Sequence, residues 1–506
     1  MGPMLVARGG CGQGINRVRD GFMGGVVVAG SSSAWASSLA RLAGDAGVEI
    51  PGPLGSIDRM SSTFPSSLRG AVVAWVLACA ASHGAGLEWP EWRGPGADGH
   101  AGKDARGLPL TWGEGTNVAW RCDLPGRGWS SPVIDGNQVW LTTALETEAR
   151  PEDVQRRLKS NTGDQPLTLL DKVELVALCV DRRSGRLVRT VSLASEKDPQ
   201  WVHTLNSYAS PTPVLEKDRA YLHFGTFGTY CVDTSDGRVV WRNTDLRIMH
   251  ENGPGSSPVL AGDLLVFHLD GSDTQSVVAL EKKTGKVAWR TARSGEMNAN
   301  PQLKKSYATP ALLRLGGKDV LLSQGADWLY AYDPRTGAEQ WKVKYGQLGF
   351  SLSSRAVFGQ GNMYLCTGYA RSEAQAIRIE GGEPTQVWRY AKGAPTMSSP
   401  LLVGGELYFV SDTGGMFTCL DARTGAEVYR ERLGGNHCSS PLLAEGRIYL
   451  GDRDGVTSVI EPGRRFRVLA RNTLDGKIMA SPAAVGDSLY LRTDKALYRL
   501  RQGGQR

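Results

Sequence analysis

Residues 398–430 alternate short apolar runs with turns. They read SSPLLVGGELYFVSDTGGMFTCLDARTGAEVYR, in which apolar and β-branched runs are separated by segments rich in Gly, Asp and Thr. Such runs between such turns are typical of antiparallel strands joined as hairpins. The stretch therefore predicts a small sheet of four antiparallel strands.

The last turn of this stretch recurs along the chain. In each copy an acidic residue is followed eight residues later by Trp, Tyr or, once, Arg. An Asp or Glu that starts a turn can accept backbone N–H groups, and a Gly four residues later supplies positive φ at low cost. The recurrence indicates a repeat architecture. The copies are DRRSGRLVRTV from Asp181, DTSDGRVVWRN from Asp233, EKKTGKVAWRT from Glu281, DPRTGAEQWKV from Asp333, a worn EGGEPTQVWRY from Glu380, and DARTGAEVYRE from Asp421.

A Ser/Thr-Pro marker precedes the first predicted strand of most copies. The markers are spaced by 41 to 52 residues except in the first interval, which contains a polar insertion at about residues 146–172 that we interpret as a surface excursion. Eight copies of a four-stranded sheet predict an all-β fold, an eight-bladed β-propeller. The markers are Pro132, Pro211, Pro258, Pro310, Pro400, Pro441 and Pro482, with Arg355 at the eighth position.

The copy that begins at Ser481 has three predicted strands and lacks the fourth. Ahead of the first marker, Val118 to Arg121 repeat Val287 to Arg290 letter for letter. We therefore predict that this N-terminal strand supplies the missing fourth strand and closes the ring. Closure would remove the open sheet edges that promote aggregation.

The cysteines and the charges change the picture only slightly. Cys179, Cys231 and Cys419 share one slot of the repeat, two residues before the acid, which otherwise holds Ala279, Ala331 or Val459 and, in the worn copy, Arg378. We interpret them as buried small side chains, because the chain has neither CxxC nor a His cluster with zinc spacing. The net charge of +7 is spread out, without a basic run interleaved with aromatics, which argues against nucleic acid.

The N-terminal region differs in composition from the repeats. Residues 1–68 are rich in Gly, Ser and Arg and predict a disordered or wrongly assigned extension, with translation starting at Met60. Residues 69–86 resemble a secretory signal, with a basic flank, an apolar run too short to span a bilayer, and small residues. An internal hydrophobic helix and lipidation of Cys79 are the alternatives. We expect an exported, monomeric protein of the periplasm or cell envelope without a transmembrane anchor, with the propeller at residues 87–501.

The repeat frame resembles the pyrroloquinoline-quinone (PQQ) repeat propellers, the quinoprotein alcohol dehydrogenase-like family, over residues 89–500. The propeller lipoprotein of the outer-membrane assembly machinery shares this repeat. The opening WPEWRGPGADGH, residues 89–100, is similar to exported bacterial PQQ-like propellers that are common in planctomycetes. The resemblance implies that the repeated aromatics pack blades against each other. These are Trp120, Trp241, Trp289, Trp341, Trp388 and Tyr429.

In such a propeller the residues just before each marker are expected near the central channel. These segments differ between copies while the marker does not, which leaves them free to bind a partner protein or a small polar ligand. Filling the channel with water and hydrogen bonds is the alternative. The candidates are Trp129, Asn206, Tyr208, His250, Glu251, Asn252, Tyr307, Arg355, Asn436 and His437.

A quinoprotein dehydrogenase of this family implies Ca²⁺ beside the quinone, a carboxylate base and a pair of adjacent cysteines. The chain has no adjacent cysteines, and Glu251 is the one acid in the candidate segments. Glu251 and Asn252 do not make the six to eight oxygens of a Ca²⁺ shell. We therefore expect no catalytic residue, no metal and no cofactor in a binding scaffold. The alternative is a divergent PQQ-dependent oxidoreductase that uses PQQ with Ca²⁺.

Overall fold

The computed structural model describes residues 88–161, 163, 165–346, 349–381 and 383–504. Most strands lie in eight four-stranded antiparallel sheets, which form the blades of an eight-bladed β-propeller. The predicted fold class is therefore confirmed. The extension at residues 1–68 and the signal-like segment at residues 69–86 lie outside the described residues.

The blades are numbered 1 to 8 in chain order, and each has an inner, a second, a third and an outer strand. In this order, blade 1 contains Val133–Asp135, Gln138–Glu148, Leu170–Asp181 and Leu187–Lys197, and blade 2 contains Val214–Glu216, Arg219–His223, Thr229–Asp233 and Val239–Asn243. Blade 3 contains Val259–Ala261, Leu264–Asp270, Gln275–Glu281 and Val287–Ala292, and blade 4 contains Ala311–Leu315, Lys318–Gln324, Trp328–Tyr332 and Glu339–Lys344.

Blades 5 to 8 follow the same order. Blade 5 contains Val357–Gly359, Asn362–Cys366, Ala374–Arg378 and Thr385–Tyr390, and blade 6 contains Leu401–Val403, Glu406–Val410, Met416–Asp421 and Glu427–Arg432. Blade 7 contains Leu442–Ala444, Arg447–Gly451, Val456–Ile460 and Val468–Thr473, and blade 8 contains Ala483–Val485, Ser488–Arg492, Ala496–Arg501 and Val118–Asp123. Smaller elements are the helix Pro151–Leu158, the 3₁₀ turns Gly225–Phe227 and Pro301–Leu303, and two short ladders, Leu167–Thr168 with Val202–His203 and Gly349–Phe350 with Tyr369–Ala370.

The outer strand of blade 8 comes from the N-terminal side of the propeller, as predicted. Val118–Asp123 pairs antiparallel with Ala496–Arg501, so that Arg121 lies opposite Tyr498 and Asp123 opposite Ala496. One blade is thus built from both ends of the repeat array, which joins the last blade to the first part of the chain.

The marker hydroxyls connect neighbouring blades in a ring of hydrogen bonds. In each bond a backbone N–H of one blade donates to the marker hydroxyl of the next at 2.9–3.0 Å. We call the residues at this position the hydroxyl ring, which has one member per blade. The member is the Ser or Thr of the marker in seven blades and Arg355 in blade 5. The donor–acceptor pairs are Ser131–Thr212, Thr212–Ser257, Ser257–Thr309, Arg355–Ser399, Ser399–Ser440, Ser440–Ser481 and Ser481–Ser131.

This ring corrects the position of the second marker. Thr212 takes the bond from Ser131, and Val214 begins the inner strand, so the marker of blade 2 is Thr212–Pro213 and not Pro211. In blade 5, Arg355 has no hydroxyl to accept the bond from Thr309. The marker is therefore a packing device between blades, which explains why its sequence repeats.

The repeated aromatics lie over the turns of the next blade. The indole N–H groups of Trp120, Trp241, Trp289 and Trp388 donate to the carbonyl oxygens of Arg182, Lys282, Pro334 and Ala422 at 2.8–3.2 Å. A Cβ atom at Gly425, at φ +71°, would lie 2.6 Å from Cδ2 of Trp388. The glycine of the repeated phrase therefore provides both the left-handed turn and the space for the neighbouring indole.

The exceptions to this arrangement follow from the sequence. In blade 1, Arg189 takes the place of the tryptophan, and its guanidinium donates to the carbonyl oxygen of Ser235 in blade 2. Trp341 packs against blade 5, whose last turn is the worn copy of the phrase, and Tyr429 packs against blade 7, whose last turn lacks the phrase. Tyr429 packs instead against Phe466, with ring centroids 5.7 Å apart.

The three cysteines of the repeat slot are buried free thiols, as predicted: Cys179, Cys231 and Cys419 are at most 1% exposed. The slot of blade 5 was assigned wrongly, because Ala376 and not Arg378 lies opposite Trp388. The worn phrase is a longer turn, which moves Arg378 out of the slot and leaves its side chain exposed.

Candidate functional site

A cavity of about 760 Å³ opens at one end of the channel. Every blade contributes to its wall the residue that lies two positions before its member of the hydroxyl ring. We call this set the lining ring. Its members are Trp129, Ser210, Gly255, Tyr307, Ser353, Met397, Cys438 and Met479, in order from blade 1 to blade 8. The register of the repeat therefore builds the wall of the cavity.

Loops between the blades complete the wall. The loop before blade 2 contributes His203, Leu205 and Asn206, and the loop before blade 4 contributes Gln302 and Lys305. Aromatic faces come from Phe350 and from Tyr369, which is 62% exposed. The insertion in blade 1 also reaches the cavity through Gly163, Gln165 and Pro166. It is therefore more than the surface excursion expected at residues 146–172.

The segment that precedes the propeller strands forms the floor of the cavity. The indole N–H of Trp92 donates to Oγ of Ser481 in the hydroxyl ring at 3.3 Å. The guanidinium of Arg355 donates to Oε2 of Glu91 at 3.0 Å and to the carbonyl oxygen of Trp92 at 3.1 Å. Arg93 donates to the carbonyl oxygen of Pro400 in blade 6 at 2.8 Å. These bonds hold the segment across the channel.

Four of the ten candidate residues line the cavity. They are Trp129, Asn206, Asn252 and Tyr307. The indole N–H of Trp129 donates to the carbonyl oxygen of Leu205 at 3.0 Å, and the Tyr307 hydroxyl donates to that of His250 at 2.6 Å. The Asn206 amide donates to the carbonyl oxygens of Asn252 and Pro254. The side chains of Trp129, Asn206 and Tyr307 are thus fixed before any ligand binds, whereas Oδ1 of Asn252 is buried without a hydrogen-bond partner.

The structure places the other six candidates elsewhere. Tyr208 is buried between blades 1 and 2, where its hydroxyl donates to the carbonyl oxygen of Gln200. Glu251 accepts a bond from the Ser272 hydroxyl. The remaining positions are fixed by packing: His250 is buried, Arg355 holds the floor segment, Asn436 accepts from the Gly414 N–H, and His437 lies between the carbonyl oxygens of Gly434 and Gly451.

Lys305 is the most distinctive polar group of the cavity. It is 3% exposed, and its ammonium donates to Oε1 of Gln302. Burial lowers the pKa of Lys305 to about 8, while Glu251 opposes this change. Among the described lining residues it is the one Lys, Arg, Asp or Glu. The cavity therefore presents a single buried cation to a ligand.

Several lining residues were missing from the sequence-based candidates, namely Trp92, Lys305, Phe350, Met397, Cys438 and Met479. A fixed offset of two residues before the hydroxyl ring identifies the last three. Trp92 carried no repeat signal, since its segment lies outside the blades.

The cavity does not fit a Ca²⁺-polarised quinone. The described lining residues include no carboxylate side chain and a single cysteine, Cys438. Ca²⁺ prefers six to eight oxygen ligands, among which carboxylates are prominent. Nor do the described residues contain a group of three or more His, Cys, Asp or Glu side chains that could hold a metal ion.

The fold and the cavity define the protein as an eight-bladed β-propeller with an open pocket at one end of its channel. Its sequence matches the family model described as outer membrane protein assembly factor BamB over residues 173–411 and 325–493. Together these matches span more than half of the chain. The chain therefore belongs to this family of PQQ-repeat propellers. No helix in the described part of the chain is long and apolar enough to cross a membrane.

The comparison with solved structures finds matches of low sequence identity. A computationally designed protein, Ika8, is 9% identical, with a TM-score of 0.50 and coverage of 78% of this chain and 100% of its own. BamB from Moraxella catarrhalis is 13% identical (TM-score 0.47; 66% of this chain and 99% of that one). A europium-containing methanol dehydrogenase is 12% identical (TM-score 0.45; 79% and 89%). No curated protein sequence matches the chain.

Proposed function

We propose that the protein is a non-catalytic binding module that holds a small, polar, acidic ligand, of which an oligosaccharide is the best fit, in the cavity at the channel mouth. The observation that carries the proposal is the cavity itself, with a volume of about 760 Å³ and a prearranged wall. Ligand sites are typically concave, largely preformed and roughly 300–1,000 Å³ in volume.

The lining favours a saccharide through its aromatic faces. Trp92, Trp129, Phe350 and Tyr369 present rings to the cavity. The face of an aromatic ring carries negative charge, which attracts the C–H groups of a sugar ring. Amides elsewhere in the lining, at Gln165 and Asn300, can bind sugar hydroxyls by accepting and donating at once.

The preference for an acidic ligand rests on Lys305. Its ammonium is buried, and the described lining residues include no carboxylate side chain. An anionic group on the ligand would therefore be the most favourable partner for it. Hydrogen bonds to charged groups contribute roughly 1.5–3 kcal/mol, more than bonds between neutral groups. A carboxylate on the ligand would thus be selected over a hydroxyl at this point.

Calorimetric titration with trigalacturonate, compared with neutral maltotriose, tests the proposal. We expect trigalacturonate to bind more tightly, and Lys305→Met to weaken its binding by about 10-fold or more, because a charge-assisted bond is lost. Trp129→Ala should weaken both saccharides. Lys304→Met is the matched control, since Lys304 does not line the cavity. Equal binding by the wild type and Lys305→Met contradicts the proposal.

A partner protein is the other ligand that a propeller of this family can hold. If neither saccharide binds and a cell-envelope protein is captured in a manner that Trp129→Ala abolishes, the cavity serves a protein loop instead. The oxidoreductase alternative has its own test. PQQ- and Ca²⁺-dependent dye-linked turnover would replace the non-catalytic proposal, and we expect none.

We also propose that the protein is exported to the cell envelope. The support is the signal-like pattern at residues 69–86, together with membership of a family described by an outer-membrane assembly factor. Mass analysis of the mature N-terminus tests this proposal. A start beyond residue 80 is expected, and a mature chain that begins at or before Arg59 contradicts it.

A further inference from the structure

Three sulfur-containing side chains line the cavity from three consecutive blades. Met397, Cys438 and Met479 are the lining-ring residues of blades 6, 7 and 8, so three consecutive blades present them at equivalent positions. All three are partly accessible. Sγ of Cys438 lies 3.7 Å from Sδ of Met397. The repeat register therefore places these three residues at equivalent lining positions of adjacent blades.

The spacing of the first two sulfurs suits a shared metal ion. With metal–sulfur bonds of about 2.3 Å, two sulfurs 3.7 Å apart subtend an angle of about 107° at the ion. This angle lies close to those of tetrahedral and trigonal coordination. The existing distance therefore accommodates an ion between Cys438 and Met397 without moving the loops.

The backbone of both loops is already fixed by one residue. Oδ1 of Asp412 accepts a bond from the Met397 N–H at 3.2 Å, and the carbonyl oxygen of Asp412 accepts from the His437 N–H at 2.9 Å. His437 directly precedes Cys438, and its ring is held between two carbonyl oxygens. The sulfurs are thus presented by anchored loops, as a preorganised site requires.

The chemistry of the donors selects the metal. Thiolate and thioether ligands are soft and favour Cu(I), whereas carboxylate and carbonyl oxygens favour Ca²⁺, Mg²⁺ and Mn²⁺. We propose that Cys438, Met397 and Met479 form a three-sulfur binding site for one Cu(I) ion. This site goes beyond the proposed saccharide function, because its ligand and its donor atoms are different.

Binding exchanges a proton for the metal. The Cys438 thiol loses its proton to solvent, the thiolate forms a bond to Cu(I), and the two thioethers donate lone pairs without a change in oxidation state. Binding should therefore release one proton per ion.

The test is an anaerobic Cu(I) titration of the full chain, with bathocuproine disulfonate as the competing chromophore. Cys11 and Cys79 are replaced by Ser in all variants, so that they do not contribute. We expect one Cu(I) per chain, at least about 100-fold weaker binding in Cys438→Ser, and about 10-fold weaker binding in Met397→Leu and Met479→Leu. Met363→Leu, in the buried part of blade 5, is the matched control and should bind as the parent does.

X-ray absorption at the copper edge gives an independent readout. The proposal requires three sulfur neighbours at about 2.3 Å in the parent and two in Met479→Leu. Unchanged affinity in Cys438→Ser would overturn the proposal, and so would a single sulfur neighbour or unchanged affinity in both methionine variants. Equal melting temperatures of parent and variants would show that a loss of binding is not a loss of fold.

Discussion

Gly425 shows why the hairpin turns of this chain repeat one sequence so closely. The residue has φ +71°, and the indole of Trp388 from the preceding blade fills the space that a side chain would need. Gly446 has nearly the same φ, +70°, but nothing lies within 4 Å of its Cβ position. The two glycines separate the backbone requirement from the packing requirement.

Gly425→Ala should therefore destabilise the propeller more than Gly446→Ala. Both variants lose the ease of a left-handed turn, which costs roughly 1–2 kcal/mol. Gly425→Ala also forces Trp388 away, an overpacking cost of about 1–3 kcal/mol more. Urea denaturation measures the difference. Equal losses in the free energy of unfolding would contradict the role assigned to this glycine.

Three buried histidines between blades 2 and 4 should lower the stability of the protein in acid. Burial lowers the pKa of His223 and of His250 to about 3, and lowers that of His268 well below its ordinary value. In the unfolded chain they protonate near pH 6.5. Between about pH 6.5 and 3 the unfolded state therefore binds more protons than the folded state. The stability that these histidines contribute is thus fully present above pH 6.5 and is lost as the pH falls toward 3.

His250→Phe isolates one of these protons. Both ring nitrogens of His250 lack a hydrogen-bond partner, so the substitution removes a titrating group without breaking a bond. Between pH 6 and 4 the free energy of unfolding should fall less steeply in the variant, by about 1.4 kcal/mol per pH unit. Phe227→Leu, which changes a ring 5.4 Å away, should leave the slope unchanged. A slope in His250→Phe equal to that of the parent would refute the explanation.

Ser398 and Ser399 differ in how they hold blade 6 in the ring. Oγ of Ser399 accepts the backbone N–H of Arg355 at 2.9 Å, whereas Oγ of Ser398 is buried without a partner. Ser399→Ala would leave a buried N–H unsatisfied, which costs about 1–3 kcal/mol. Ser398→Ala should change the free energy of unfolding by about 0.5 kcal/mol or less. Thermal and urea denaturation of both variants check this contrast. A larger loss in the free energy of unfolding for Ser398→Ala than for Ser399→Ala would contradict it.

The strands and their order were predictable, because each blade repeats the same runs and turns. Local errors arose where a copy departs from the pattern. The SPTP of residues 210–213 offers two markers, and only the bond from Ser131 to Thr212 selects the second. The worn turn of blade 5 shifted the slot from Ala376 to Arg378, because a longer turn cannot be distinguished by counting from the acid.

The site was less predictable than the fold. The segments before the markers contribute residues to the cavity wall, but their side chains turn in both directions. Tyr208 enters the core, whereas Asn206, two residues earlier, lines the cavity. The floor depended on a long-range contact between Trp92 and Ser481, which are 389 residues apart. No local pattern encodes such a contact.

Ring closure gives a prediction for the whole propeller. A chain that begins at Arg127 lacks the outer strand of blade 8 and the floor segment, and exposes the edge of Ala496–Arg501. We expect aggregation or a large drop in melting temperature, because open edges pair with other chains. A chain that begins at Glu88 keeps these contacts and should melt like the full chain. Equal melting of the two shortened chains would contradict the closure.

Hydrogen exchange with trigalacturonate tests the binding cavity most directly, because it locates the ligand on the molecule. Saturating ligand should slow exchange in residues 203–212, 252–257 and 300–307, which contribute to the cavity wall. The outer strands should exchange as in the free protein, and Lys305→Met should need about 10-fold more ligand or more to reach the same protection. Protection confined to the outer strands, or no protection at saturation, would contradict a ligand-binding role for the cavity.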